Sequence, residues 1–137
     1  MSSEFTFYDY IDADGSGDNV ISSWLNNEGK PAKARFTMMI ASLEASPPSG
    51  MQDSVWKEPY TETLKYEWDG FIAIRGKKGR VQYRLLGQML GRKVFLVTCG
   101  IHKSKKYITD VSSKIALKRI EQMANDPARY RREHEYN

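Results

Sequence analysis

The segment FIAIRGKKGRVQYRLL, residues 71–86, decides the fold. Its two β-prone runs flank the glycine-bounded connection at residues 76–79, so we expect a hairpin in which Arg75 pairs with Arg80. Side chains alternate across a sheet and paired residues share a face, so this register gives the hairpin an apolar side and a basic side. The apolar side carries Ile72, Ile74, Val81, Tyr83 and Leu85, and the basic side carries Phe71, Arg75, Arg80, Gln82 and Arg84.

Similar runs before and after the hairpin predict a larger sheet. Residues 63–68 precede it, residues 93–98 follow it, and residues 5–8 open the chain. Each run is rich in β-branched or aromatic residues, and turn-forming residues separate the later runs. We therefore expect an antiparallel sheet of four to five strands.

Three helices are predicted to cover this sheet. Asp18 or Asn19 caps a short first helix, Pro31 begins the second, and a cap at residue 109 or 110 begins the last. The second helix has apolar residues at helical spacing, namely Phe36, Met39, Ile40 and Leu43. The fold class is therefore α+β, a sheet packed against an N-terminal helical hairpin and a C-terminal helix. We expect one domain over residues 1–127 and a loose polar tail over residues 128–137.

Composition and charge limit the classes of function. The 137 residues are 40% hydrophobic and 28% charged, as in ordinary globular proteins. The net charge is +4, and residues 75–106 contain no Asp or Glu, which gives this region a positive field. We find no secretory signal and no apolar run that could span a membrane. The lone Cys99 suits a reducing compartment, so we expect a cytoplasmic protein.

The basic side of the hairpin suits phosphate and RNA. Guanidinium groups bind phosphate through two parallel hydrogen bonds, and Phe71 or Tyr107 could stack on an exposed base. If the odd-numbered residues 95–101 point into the core, Thr98 and His102 join the arginines. Nearby lysines would extend the phosphate-binding surface, namely Lys77, Lys78, Lys105 and Lys106. The alternative is that the arginines merely keep an open sheet face in contact with water.

RNA cleavage without a metal needs a base, an acid and cations that stabilise the phosphorus centre. The imidazole of His102 could be either acid or base, and Tyr107 or a lysine could take the other role. The candidate catalytic residues are therefore Arg84, His102, Lys103 and Tyr107. The alternative for His102 is an ordinary surface histidine.

Metal chemistry is not expected. Residues 12–17 begin like a calcium-binding loop, but Asn19 and Ser23 stand where an apolar residue and a bidentate glutamate are required. Cys99 and the two histidines lack zinc-site spacing. We expect no metal, no cofactor and no small-molecule substrate.

Two pairs of short motifs resemble a toxin family. GFIAIR at residues 70–75 and GRVQYR at residues 79–84 are similar to the G-L-x-E-L-R…G-x-x-Y-R pattern of the RelE/ParE superfamily, and GIHK…ALKR at residues 100–119 resembles the ending of its HigB-like, phage-related branch. The resemblance implies a toxin that cuts messenger RNA, often on the ribosome, and a cognate antitoxin, typically a helix-turn-helix protein. Arg75, Arg84 and Lys103 match its basic positions.

This sequence departs from the pattern at two places. Ala73 replaces a typical acidic residue, and Tyr107 comes too early to stand for the tyrosine of the last helix in RelE-type enzymes. Arg80 and His102 match no fixed letter and are included on geometry. The superfamily also contains gyrase inhibitors without nuclease activity. A non-catalytic inhibitor of a host protein such as DNA gyrase, or a non-toxic phage accessory protein, therefore remains an alternative.

Overall fold

The protein folds as a mixed α+β unit, seen in a computed structural model that describes residues 5–28, 30–45, 61–78, 81–103 and 106–135. Over these residues it has one mostly antiparallel seven-stranded sheet and four α-helices. The elements in chain order are β1 (Thr6–Tyr10), α1 (Val20–Glu28), α2 (Lys30–Ala45), β2 (Thr61–Thr63), a 3-10 helix (Tyr66–Trp68), β3 (Ile72–Lys78), β4 (Val81–Leu90), β5 (Lys93–Lys103), β6 (Lys106–Thr109), α3 (Ser113–Asn125), α4 (Pro127–Tyr130) and β7 (Arg131–Glu133).

The sheet is organised around β5. One edge of β5 pairs with β4 along almost its whole length. Its other edge pairs first with β1, which runs parallel to it, and then with β6. The order is β2-β3-β4-β5-β1-β7. The sequence predicted four to five strands, and the difference arises because β5 continues to Lys103 before β6 folds back on it, and because the C-terminal segment supplies β7.

Helices cover both faces of the sheet. The face under α1 and α2, which we call the hairpin face, buries Ile21, Leu25, Phe36, Ile40 and Leu43 against Ile74, Leu85 and Cys99 of the strands. The opposite face, which we call the arginine face, carries a second core in which Ala116, Ile120 and Met123 of α3 pack with Trp68 and Phe71. Each of these large apolar side chains stabilises the fold by about 1.5–3 kcal/mol when fully buried. The arginine face is therefore covered in part, which the sequence did not predict.

The register of the β3–β4 hairpin differs from the predicted one. Arg75 pairs with Arg84, and the ladder extends to Lys78 and Val81. The predicted pairing of Arg75 with Arg80 is wrong by four residues. Because four is an even number, the side chains keep their predicted faces.

The register differs from the predicted one because Gly76 packs against α2 and does not form part of a turn. A Cβ at this position would lie 2.6 Å from Cζ of Phe36. The glycine therefore lets the Phe36 ring approach the strand closely, and β3 continues through it.

A β-bulge interrupts the pairing of β4 with β5. Leu86 pairs with Thr98, but the next residue, Gly87, pairs with Leu96, so Val97 is an extra residue on β5. A Cβ at Gly87 would lie 2.1 Å from the carbonyl oxygen of Phe95, which explains the glycine. The extra residue reverses the alternation of side chains along β5.

Apolar side chains of β5 lie on both faces of the sheet. Cys99 and Ile101 pack on the hairpin face, as predicted, together with Val94. Phe95 and Val97, which were predicted to accompany Cys99, pack with α3 on the arginine face instead. That part of the prediction is wrong because strict alternation does not survive an inserted residue.

Arg119 of α3 satisfies the carbonyl group of the bulged residue. Its Nη1 donates to the oxygen of Val97 at 2.7 Å and to Oδ2 of Asp110 at 2.9 Å. The other carboxylate oxygen of Asp110 accepts a backbone N–H of β5. Asp110 is thus occupied, and Ser112 caps α3 in place of the predicted residue 109 or 110.

The C-terminal segment is docked as far as His134, which corrects the prediction of a loose tail. His134 Nδ1 lies 2.9 Å from Oδ1 of Asp9, and both side chains are buried. Tyr130 donates to Asp14 at 2.6 Å, and Arg129 forms an ion pair with the same carboxylate. These two partners, Tyr130 first, lower the pKa of Asp14. The acidic loop at residues 12–18 thereby anchors the end of the chain.

The outer edge of β7 is covered by its own side chain. In the ladder with β1, the N–H and C=O groups of Arg132 point toward β1, which leaves the carbonyl of Arg131 on the outer side. Arg132 Nη1 donates to that carbonyl at 2.7 Å and to Ala128 O at 2.8 Å. The guanidinium of Arg132 therefore occupies one of the two backbone carbonyls, those of Arg131 and Glu133, that face outward from β7.

None of the helices in the described part of the chain combines the length and apolar character needed to cross a bilayer.

Replacing His134 by alanine tests whether the C-terminal segment is part of the fold. The change leaves the buried carboxylate of Asp9 without its main partner, so we expect a loss of about 3–5 kcal/mol in the free energy of unfolding. Urea titration followed by circular dichroism measures it. Glu135→Ala, an exposed neighbour, is the control and should shift stability by less than about 0.5 kcal/mol. Equal midpoints for His134→Ala and wild type would contradict the docked arrangement.

Candidate functional site

The arginine face carries a polar cluster where β3, β4 and β5 run side by side. In the ladders Arg75 lies opposite Arg84, and Gln82 lies opposite His102. Paired residues share a face and alternate residues return to it, so these four side chains lie on one side of the sheet. The sequence predicted this grouping.

Arg84 is at the centre of the cluster and is 1% exposed. Its Nε donates to Oε1 of Glu62 at 3.2 Å, its Nη1 donates to the carbonyl of Tyr83 at 2.9 Å, and its Nη2 donates to Oε1 of Gln82 at 2.9 Å. Nη2 also lies 3.2 Å from Nδ1 of His102. A buried charge is tolerated when it is paired and hydrogen-bonded in this way.

The burial of Arg84 corrects the prediction that it contacts phosphate. Glu62, Gln82 and His102 occupy its donors, so a phosphate could reach the guanidinium only by displacing them. Arg84 is placed instead to orient the groups around it and to bring positive charge beneath them.

The contact with Arg84 defines the state of the His102 ring. A guanidinium N–H can only donate, so Nδ1 of His102 must accept, and the ring proton is then on Nε2. In this tautomer Nε2–H is a hydrogen-bond donor. The sequence left open whether His102 would be an acid or a base, and this geometry favours the donor role. The side chain is partly exposed.

Glu62 is the member of the cluster that sequence reasoning missed. Its side chain is 20% exposed, against 2% for that of Arg84. In the β2–β3 ladder it lies directly opposite Ala73, and this pairing brings its carboxylate to Arg84. No motif in the sequence pointed to Glu62, because only the pairing of β2 with β3 places it here.

The other predicted site residues fall into three groups. Arg75 is partly buried on the same face as Arg84. Phe71 is 2% exposed and packs edge-on against Trp68 at 5.3 Å between ring centroids, so it presents no open surface for a base. The remainder lie outside the described residues, either wholly, as Arg80 and Lys105, or in their side chains, as Lys77, Lys78, Lys103, Lys106 and Tyr107. The backbone of Tyr107 pairs with His102 in the β5–β6 ladder.

A second polar cluster lies on the hairpin face and is separate from the first. A small pocket beside α1, α2 and the C-terminal segment is lined by Ser22, Asn26, Lys33, Thr37 and His134. Because His134 is bound to the buried Asp9, it serves the docking of the C-terminal segment. The sheet separates this pocket from Arg84.

Among the described residues, no group of three or more His, Cys, Asp or Glu side chains is placed to hold a metal ion. Comparison of the chain with models of protein families, with curated proteins and with solved structures finds no match.

The Arg84–Glu62 pair can be tested by removing its partners in turn. Glu62→Leu leaves a buried guanidinium without its carboxylate, so we expect a loss of about 3–5 kcal/mol in the free energy of unfolding. Adding Arg84→Met removes the unpaired charge and should restore part of that loss. Urea unfolding measures both variants, with exposed Glu67→Leu as control. A double variant less stable than Glu62→Leu alone would contradict the buried pair.

Proposed function

We propose that this protein is a metal-independent endoribonuclease toxin of the RelE/ParE type, and that its active site is the cluster around Arg84. The observation that carries the proposal is that one guanidinium contacts both a partly exposed carboxylate, Glu62, and a partly exposed imidazole, His102. A carboxylate that can accept a proton and an imidazole that can donate a hydrogen bond are thus held in fixed positions beside a positive charge. The motifs at residues 70–84 and 100–119 support the same assignment.

Each group then has a role in breaking an RNA chain by attack of the ribose 2′-oxygen. Glu62 takes the proton of the 2′-hydroxyl as that oxygen forms its bond to phosphorus. His102 Nε2–H donates to a non-bridging phosphate oxygen, where negative charge develops. The bond from phosphorus to the 5′-oxygen breaks, and water supplies the proton to the departing oxygen. Arg84 acts as a positioning residue, since it orients Glu62 and His102.

Basic residues around the cluster bind the RNA backbone in this proposal. Arg75 shares the face, and the segment from residue 75 to 106 carries no acidic residue that would repel phosphate. Further phosphate contacts are assigned to Lys77, Lys78, Arg80, Lys103, Lys105 and Lys106, and Tyr107 is assigned a place beside His102 because their backbones pair. The substrate is messenger RNA, free or on the ribosome, in the cytoplasm. A cognate antitoxin would neutralise the toxin.

Replacing Glu62 by glutamine tests the catalytic assignment. The amide oxygen can still accept from Arg84 Nε, but glutamine cannot take up a proton, so the rate of RNA cleavage should fall about 10²–10⁴-fold. The measurement is cleavage of a labelled RNA by purified protein, in EDTA without ribosomes and in Mg²⁺ with ribosomes, which need that ion.

Glu121→Gln makes the same chemical change at an exposed position of α3 and should cleave at the wild-type rate. Thermal unfolding of both variants controls for loss of the fold. Cleavage by Glu62→Gln at the wild-type rate would remove Glu62 from the mechanism. Intact transcripts in cells arrested by the wild type would refute the nuclease itself.

A second function is favoured by the burial of Arg84. An arginine that is 1% exposed and bonded through all three of its nitrogens can serve the fold alone, as a non-catalytic inhibitor of a host protein such as DNA gyrase would require. Gyrase-dependent DNA damage, with RNA left whole, would support this alternative against the nuclease.

A further inference from the structure

Tyr66 has two properties that the fold does not explain. It is 94% exposed, the largest exposure among the large apolar residues of the described chain. Its φ is +58°, in the left-handed region that a bulky side chain rarely adopts. Glycine or asparagine would meet the same backbone requirement with less strain. A side chain that gains almost nothing from burial and strains its own backbone is a candidate for contact with another molecule.

The turn that carries Tyr66 is anchored by a buried tryptophan and by backbone hydrogen bonds. Two residues later, Trp68 is 6% exposed and lies in the core of the arginine face. Trp68 N donates to Lys65 O at 3.2 Å, and Asp69 N donates to Tyr66 O at 3.1 Å. Leu64 N donates to Phe71 O at 2.9 Å and closes the loop on β3. The ring of Tyr66 therefore projects from a backbone fixed on both sides.

The turn is also close to the proposed active site. Glu62 lies on β2, and Tyr66 follows it by four residues, so their Cα atoms are at most about 14 Å apart. An RNA strand of a few nucleotides covers such a distance. The exposed ring of Tyr66 thus follows the proposed proton acceptor, Glu62 of β2, closely along the chain.

We propose that Tyr66 is a stacking platform for an unpaired base of the RNA, a few nucleotides from the bond that is cut. Every base offers a flat face to an aromatic ring, and such stacking is tolerant of sequence. The exposed Lys65 can contact the adjoining phosphate, while the exposed Glu67 and Asp69 limit any wider phosphate binding. The affinity from this turn therefore comes chiefly from the ring and depends little on salt. This inference rests on the proposed nuclease function.

The variant Tyr66→Asn tests it, because stability and binding should change in opposite directions. Asparagine tolerates the left-handed backbone, so the unfolding midpoint should rise by about 2–6 °C. The dissociation constant for a labelled 2′-O-methyl RNA of 12 nucleotides, which cannot be cleaved, should rise about 5- to 150-fold. The slope of affinity against salt concentration should stay the same, since no phosphate contact is removed.

Two further variants complete the experiment. Tyr66→Phe keeps the ring and should bind this RNA like the wild type. Met38→Ala removes another exposed apolar side chain, on α2, and should also leave binding unchanged.

Wild-type binding and cleavage of RNA together with unchanged affinity in Tyr66→Asn would overturn the platform and leave the proposed nuclease standing. A wild type that does not bind RNA would overturn both. A lower unfolding midpoint for Tyr66→Asn would show that the ring serves the fold and would also overturn the platform.

Discussion

The structure depends on the pairing of β4 with β5 and on the one residue inserted into it. β5 contributes to both cores because its consecutive apolar residues 94–97 alternate between the two faces of the sheet. The insertion reverses this alternation, so Cys99 returns to the hairpin face and His102 lies on the arginine face. Two residues accommodate the insertion. Arg119 donates to the carbonyl of Val97, and Gly87 leaves space for the backbone of β5. The position of His102 beside Arg84 follows from this register.

The centre of the candidate site is a buried charge. Arg84 is bonded through all three nitrogens of its guanidinium group, which is the usual condition of an arginine that maintains a fold. The side chains of Glu62 and His102, however, are more exposed than that of the arginine itself. A buried cation of this kind can orient its neighbours without contacting a substrate. Arginine is usually found at the surface, but a buried arginine can still affect a site through the side chains that it orients.

Much of the fold followed from simple patterns in the sequence. The helical hairpin, the final helix and the antiparallel strands were predicted from apolar spacing and turn residues, and α1, α2, α3 and β3 to β5 occur at those places. The faces of the β3–β4 hairpin were predicted correctly although its pairing was wrong, because the error of four residues preserved the alternation. Burial of alternate residues constrains the face of a strand more strongly than its exact partner.

The remaining differences between the predicted and the observed structure arise from contacts between distant parts of the sequence, which local patterns do not indicate. The bulge at Val97 depends on a helix that supplies Arg119 from 22 residues further along the chain. Glu62 was missed because the predicted strand at residues 63–68 begins after it, whereas β2 is Thr61–Thr63 and a 3-10 helix follows at Tyr66–Trp68. The docking of the C-terminal segment depends on Asp9 and Asp14, near the other end of the chain. Polar sequence at a terminus was therefore a poor indicator of looseness, since the partners were polar as well.

The arrangement of Arg132 has a consequence for how this protein behaves at high concentration. An edge strand with free carbonyl groups invites a strand from a second molecule, and chains of such contacts lead to aggregates. Here the guanidinium of Arg132 already occupies the outward carbonyl of Arg131 and the carbonyl of Ala128 in α4, and it places a charge at this edge. β7 is thus the last strand at this edge of the sheet, and pairing of its outer edge with a strand of a second molecule is disfavoured.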